Sequence, residues 1–124
     1  MPGQEKRRFS RVPVDGVAHL RCSGNEEWSA ELIDISLKGA LISRPTGFSS
    51  PLEAPCRLNL ELSDGAVQIN MEGAIAHLEV DHVGFRCEHI GLESVSHLKR
   101  LLELNLGDEA LLERELTELA AGGT

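Results

Sequence analysis

The chain of 124 residues has no cysteine pair at CxxC spacing, no long apolar run and no catalytic signature. Each absence excludes something. Cys22, Cys56 and Cys87 are an odd number of thiols at wide spacings, which fits neither a disulfide framework nor a zinc knuckle and points to a reducing compartment. The first residues are polar and charged, without an apolar stretch of signal-peptide length, and no segment approaches the roughly 18 apolar residues of a membrane span. The expectation is a cytoplasmic protein without membrane insertion. GxSxG, HExxH, P-loop and GxGxxG motifs are all missing, and the carboxylates are scattered along solvated faces. His19, His82, His89 and His97 lack the paired spacing with cysteines or carboxylates that builds a metal site, and Cys87 and His89 read as alternate positions of one strand. Binding rather than turnover, with no metal and no resident cofactor, is the expectation. There is no internal repeat and no low-complexity tract.

Positive charge is also scarce over most of the chain, whose formal net charge is -8. The exception is EKRRFSRVPV, residues 5–14, where Lys6, Arg7, Arg8 and Arg11 fall within six residues. Residues 1–11 carry these four cations against Glu5, a net of +3, so the total of -8 leaves -11 for residues 12–124. Such an acidic body repels the backbone of a long nucleic acid, whose binding needs many neutralised phosphates over a broad face. DNA and RNA are therefore not expected as partners. A compact anion with a few charges needs no broad basic face, and a short arm of four cations could close over it.

The length suits one domain, and 41% hydrophobic residues suffice for a single core of modest size. Broken alternation in VPVDGVAHLRC predicts a strand over residues 16–22, with Asp15-Gly16 as a bend. WSAELIDIS predicts a second over 27–34, with Trp28, Ala30, Leu32 and either Ile33 or Ile35 inward. A sharp turn at Leu37-Lys38-Gly39 leads to a short strand over 40–43, and PTGFSSPLEAP reads as loop. CRLNLELSD alternates plainly through Cys56, Leu58, Leu60 and Leu62, Asp64-Gly65 is a hairpin signal into AVQINMEGAIAHLE, and HVGFRCEHI is the last strand. Nothing helical separates these six strands, so a parallel sheet is excluded and an antiparallel sheet or barrel is expected. After Ile90 the spacing turns helical, through Leu92, Val95, Leu98, Leu101 and Leu102, with Leu104 a further candidate. Gly107 can stop that helix and Asp108 can cap a second one carrying Leu111, Leu112, Leu116 and Leu119. Glu113, Glu115 and Glu118 make the second helix unsuited to an anionic membrane surface.

Two stretches carry candidate chemistry. RRFSR places Arg7 and Arg11 four residues apart, and each guanidinium is a planar donor fork suited to phosphate oxygens or to the acceptor pair on a guanine edge. Taken alone, such a charge cluster is more commonly a solvated basic tail. DISLKG, residues 34–39, supplies Asp34 as an acceptor, Ser36 as donor or acceptor, and Gly39 for close backbone approach or positive φ. Taken alone, it is ordinary turn chemistry.

Together, RxxxR near the start and DxSxxG at a strand end some two dozen residues later resemble the signature of the PilZ family, whose members bind the second messenger cyclic di-GMP. The resemblance spans essentially the whole chain, including the tail HIGLESVSHLKRLLELNLGDEALLERELTEL. It implies a mainly β fold: a six-stranded antiparallel PilZ-type β-barrel over about residues 13–90, with C-terminal helices over about 91–120 packed against it and residues 1–12 as a flexible basic arm. It further implies that Arg7 and Arg11 grip phosphates and guanine edges with Arg8 and Lys6 assisting, while Asp34, Ser36 and Gly39 hold guanine and phosphate from the barrel surface. In the family one ligand or a stacked dimer is bound, and the residue before the first motif arginine, here Lys6, is implicated in that choice. His77, late in the long strand, stands where a flat side chain could stack on a projecting guanine, or is simply a surface histidine.

The reading that follows is a monomeric bacterial receptor that orders its arm over cyclic di-GMP and presents an altered surface to a protein partner. One rival is a nucleotide-independent adaptor on the same barrel, against which the intact pair of motifs argues. A second is an enzyme with the arm as substrate clamp, which lacks an identifiable base, nucleophile or metal site.

Overall fold

The alternation in CRLNLELSD is realised as strand β5 (Pro55–Leu62), whose Cys56, Leu58, Leu60 and Leu62 are buried while the residues between them face outward. The computed structural model describes residues 10–22, 26–107 and 109–122. Around β5 run β1 (Val12–Pro13), β2 (Val17–Cys22), β3 (Glu27–Ser36), β4 (Gly39–Ser43), β6 (Val67–Leu78) and β7 (His82–Ile90). All pairings are antiparallel, in the order β3-β2-β5-β6-β7-β4, and β4 returns to pair with β3. The sheet is thus a closed six-stranded barrel, which leaves no long edge open to another chain. The additional strand β1 lies outside it on β3, Val12 opposite Ile35 and Pro13 opposite Asp34.

Two helices follow, α1 (Leu92–Leu106) and α2 (Glu109–Gly122). The Ser94 hydroxyl accepts the Asn70 N–H at 2.9 Å, tying the first turn of α1 to β6. Gly107 ends α1 at φ 67, a left-handed conformation that costs glycine little, as its place after the last apolar residue implied. Leu98 and Leu102 of α1 and Leu112 of α2 are buried in one core with Leu20, Leu60, Ile69 and Phe85. Among the described residues no helix is long and apolar enough to cross a membrane. The sequence-based boundaries hold to within a residue or two; Asp108, the expected cap of α2, lies outside the described residues.

The thiol reading is corrected. Cys22 and Cys56 stand opposite one another in the β2–β5 register and form a disulfide, although they lie 34 positions apart in the sequence. Spacing along a chain says little about distance across a sheet, so the sequence argument for a reducing compartment falls. Cys87 remains a free thiol, and burial pushes its pKa up to about 11, which keeps it protonated and inert at neutral pH. Closing a loop of this size restricts the unfolded chain. Reduction should therefore lower stability by roughly 2 kcal/mol, on the order of 10 °C in Tm. Scanning calorimetry with and without dithiothreitol checks this; an unchanged Tm would mean that the strand ladder alone holds the pair.

Candidate ligand-binding cleft

A regular period of two running on from the buried Leu32 would drive Asp34 into the barrel core. A bulge between Leu32 and Asp34 prevents this, because Leu32 pairs with Ile42 but Asp34 already pairs with Leu41. The extra residue, Ile33, is exposed; Ile35 becomes the next core residue, and Asp34 turns toward the outer face. The second bulge has the same consequence across the cleft. On β6, Ile75 pairs with Phe85 and His77 with Gly84, so one residue is again interposed and the exposed His77 leans over Gly84, where a Cβ would stand only 3.0 Å from the imidazole ring.

Between these two irregularities lies an open cleft of about 310 Å³. Arg11, Asp34, Ser36, Lys38, Gly39 and His77 line it, with Ala40 and Phe85 among its apolar contacts and Arg86 at its rim. Arg11 reaches in from the end of the arm and places a guanidinium nitrogen 3.7 Å from Asp34 Oδ2. The other carboxylate oxygen, Asp34 Oδ1, is buried and has no hydrogen-bond partner among the described residues. A buried acceptor left unpaired is costly, so a donor arriving from outside has something to gain there. Ser36 is buried, and its hydroxyl accepts the Lys38 N–H at 3.2 Å, which shapes the turn and points Lys38 at the cleft.

Gly39 serves the fold here more than close approach of a ligand. A Cβ at this position would collide with the Phe85 carbonyl oxygen, so only glycine lets β4 lie against β7 and form the cleft floor. The Lys38 carbonyl accepts the Cys87 N–H at 2.7 Å and closes the same junction. Arg86 is held by two carboxylates, bidentate to Glu53 at 2.7 and 3.3 Å and at 2.9 Å to Glu88. The hydrogen bond and then the charge of Arg86 hold the Glu53 carboxyl below its usual range, and the same bonds raise the Arg86 pKa. An anion entering the cleft would have to compete with these carboxylates for Arg86.

Of the residues that the sequence singled out, the structure gathers Arg11, Asp34, Ser36, Gly39 and His77 around this one cleft. Lys6, Arg7 and Arg8 lie outside the described residues. Lys38 and Arg86 were missed. Alternation in HVGFRCEHI, with Val83, Phe85 and Cys87 inward, already turns Arg86 outward, and Lys38 sits inside DISLKG, so both signals were present.

With this geometry, the sequence profile described as PilZ domain matches residues 5–104. The chain belongs to the PilZ domain family. Solved structures share the fold: the PilZ domain with c-di-GMP of YcgR from Escherichia coli superposes with a TM-score of 0.63 at 14% identity, over 94% of this chain and 98% of that one. The PilZ domain of CeSA from a cellulose-synthesizing bacterium gives 0.59 at 13% identity, over 79% and 96%. The inhibitor of motility MotI/DgrA of Bacillus subtilis gives 0.63 at 16% identity, over 80% of this chain and 52% of its own, so this PilZ chain spans about half the length of that protein.

Proposed function

We propose that this PilZ protein is a receptor for cyclic di-GMP, bound between its basic arm and the cleft on the barrel. The observation that carries the reading is Asp34 Oδ1 beside Arg11, buried and without a partner among the described residues, in a cleft that also presents Lys38 and Ser36. Guanine offers N–H donors on one edge and the O6/N7 acceptor pair on another, so one base can satisfy Asp34 and engage an arginine fork at once. Arg7, Arg8 and Lys6 would then meet the phosphates together with Lys38, and His77 would stack on a projecting guanine. Ordering the arm costs roughly 1 to 2 kcal/mol per residue, so several charge-assisted contacts must form together, which makes closure cooperative. Neutralising the arm's cations alters the charge of the surface shown to a protein partner, in keeping with a signalling role.

Isothermal calorimetry with cyclic di-GMP, using GTP and cyclic GMP as controls, tests this. Selective binding is expected, with one ligand per chain for a monomeric complex or two for a stacked dimer supported by Lys6. Arg7→Ala and Arg11→Ala should each lose roughly tenfold to a hundredfold in affinity, and His77→Ala should weaken binding less while leaving Tm unchanged. Absence of heat with cyclic di-GMP would remove the receptor reading and favour a nucleotide-independent adaptor.

A further inference from the structure

Ser10 lies inside the RRFSR motif, immediately before Arg11, and it is held from an unexpected direction. Glu115, in the middle of α2, is 2% exposed and extends its carboxylate to the root of the arm. Its Oε2 accepts both the Ser10 backbone N–H at 3.0 Å and the Ser10 hydroxyl at 2.6 Å. Its Oε1 is buried without a partner among the described residues. A buried carboxylate is a costly way to dock a helix, since an apolar side chain among Leu112, Leu116 and the core would avoid the desolvation altogether. What Glu115 adds is a fixed position for Ser10.

That position bears on the cleft. On one side of Ser10 the chain is bound at once to the barrel, by the Arg11 side chain beside Asp34 and by the pairing of Val12 with Ile35. On the other side Arg8 and Arg7 are only two and three residues away along the chain.

Resting on the receptor reading above, we propose that Glu115 is a positioning residue for the ligand, acting through Ser10, and that docking of α2 and binding of the nucleotide reinforce one another. With Ser10 anchored, the backbone order that Arg11 needs is in place before the ligand arrives. Without it that order must be supplied on binding, a loss of roughly five- to thirtyfold in affinity if one residue is released. Coupling of this kind is reciprocal, so the ligand tightens α2 on the barrel by the same factor, and a partner that pulls α2 away weakens ligand binding. The C-terminal helix thereby becomes the element through which occupancy of the cleft is read.

The test is a double-mutant cycle on the full chain, with cyclic di-GMP affinity measured by calorimetry for the wild type, Ser10→Ala, Glu115→Gln and the double variant. Both single variants should bind more weakly, and the double variant should be no worse than Glu115→Gln. Glu113→Gln, an exposed change on the same helix, should bind as the wild type does. Hydrogen exchange supplies a readout that a merely structural role would not move: ligand should slow exchange of residues 111–118 in the wild type and much less in Glu115→Gln. If α2 of Glu115→Gln is undocked even without ligand, Ser10→Ala decides alone, because it leaves the helix sequence intact. Wild-type affinity, or tighter binding, in Ser10→Ala and Glu115→Gln overturns the positioning role while leaving the receptor reading in place. Failure of the wild type to bind overturns both.

Discussion

Asp34→Ala should lose about a hundredfold or more in affinity for cyclic di-GMP while leaving the free protein as stable as before, or slightly more so. The two effects have opposite signs for a single reason. Among the described residues one oxygen of Asp34 is buried without a partner and the other makes a long ion pair of 3.7 Å with an exposed arginine. Such a pair contributes little, on the order of 0 to 1 kcal/mol, whereas an unsatisfied buried acceptor costs about 1 to 3 kcal/mol. Removing the carboxylate relieves that cost. In the complex the same oxygens would accept the guanine N–H donors, so alanine loses charge-assisted hydrogen bonds in a desolvated site. Thermal melting and calorimetric titration of the one variant separate the two quantities. A large fall in Tm would show instead that Asp34 holds β1 and β3 together, and unaltered ligand affinity would remove it from the site.

Gly39→Ala should be the most damaging single-methyl change in the cleft, destabilising the protein by about 2 to 5 kcal/mol. Two penalties combine. The new Cβ would overlap the Phe85 carbonyl oxygen, and relieving such overpacking costs about 1 to 3 kcal/mol. Gly39 also has φ 158, a conformation that L side chains rarely adopt, at about 1 to 2 kcal/mol. The loss removes a large share of the roughly 5 to 15 kcal/mol that stabilises a domain of this kind. Gly47→Ala provides the control, because φ there is 80 but nothing lies within 4 Å of the added carbon. Gly47→Ala should cost about 1 kcal/mol, so urea unfolding of the two variants separates the clash from the conformational penalty. Comparable costs at both positions would show that β4 can shift away from β7 without harm. Any ligand affinity lost in Gly39→Ala follows from the displaced floor of the cleft, which gives this motif position a physical meaning different from that of Asp34 and Ser36.

Much of the fold was legible because its signals are local. Alternation in CRLNLELSD, the Asp64-Gly65 hairpin signal, the switch to helical spacing after Ile90 and the stop at Gly107 each need only a few neighbouring residues to be read. The bulges were not legible in the same way. Whether Ile33 or Ile35 faced inward remained open in the sequence, because a single interposed residue changes no composition and leaves either parity plausible. It is decided by the pairing of β3 with β4, and with it the direction of Asp34 is decided too. His77 owes its place over Gly84 to the corresponding irregularity between β6 and β7.

By itself the sequence determined the basic arm on an acidic body, the order of strands before helices, and the paired motifs that mark the family. Those are properties of what stands next to what along the chain. Tertiary structure alone decided that Cys22 and Cys56 are bonded, that Arg86 is occupied by Glu53 and Glu88, and that Glu115 clasps Ser10 across 105 positions of sequence. Such contacts carry no local signature, because closing the barrel and folding α2 back onto it, rather than any preference of the residues themselves, brings the partners within bonding distance.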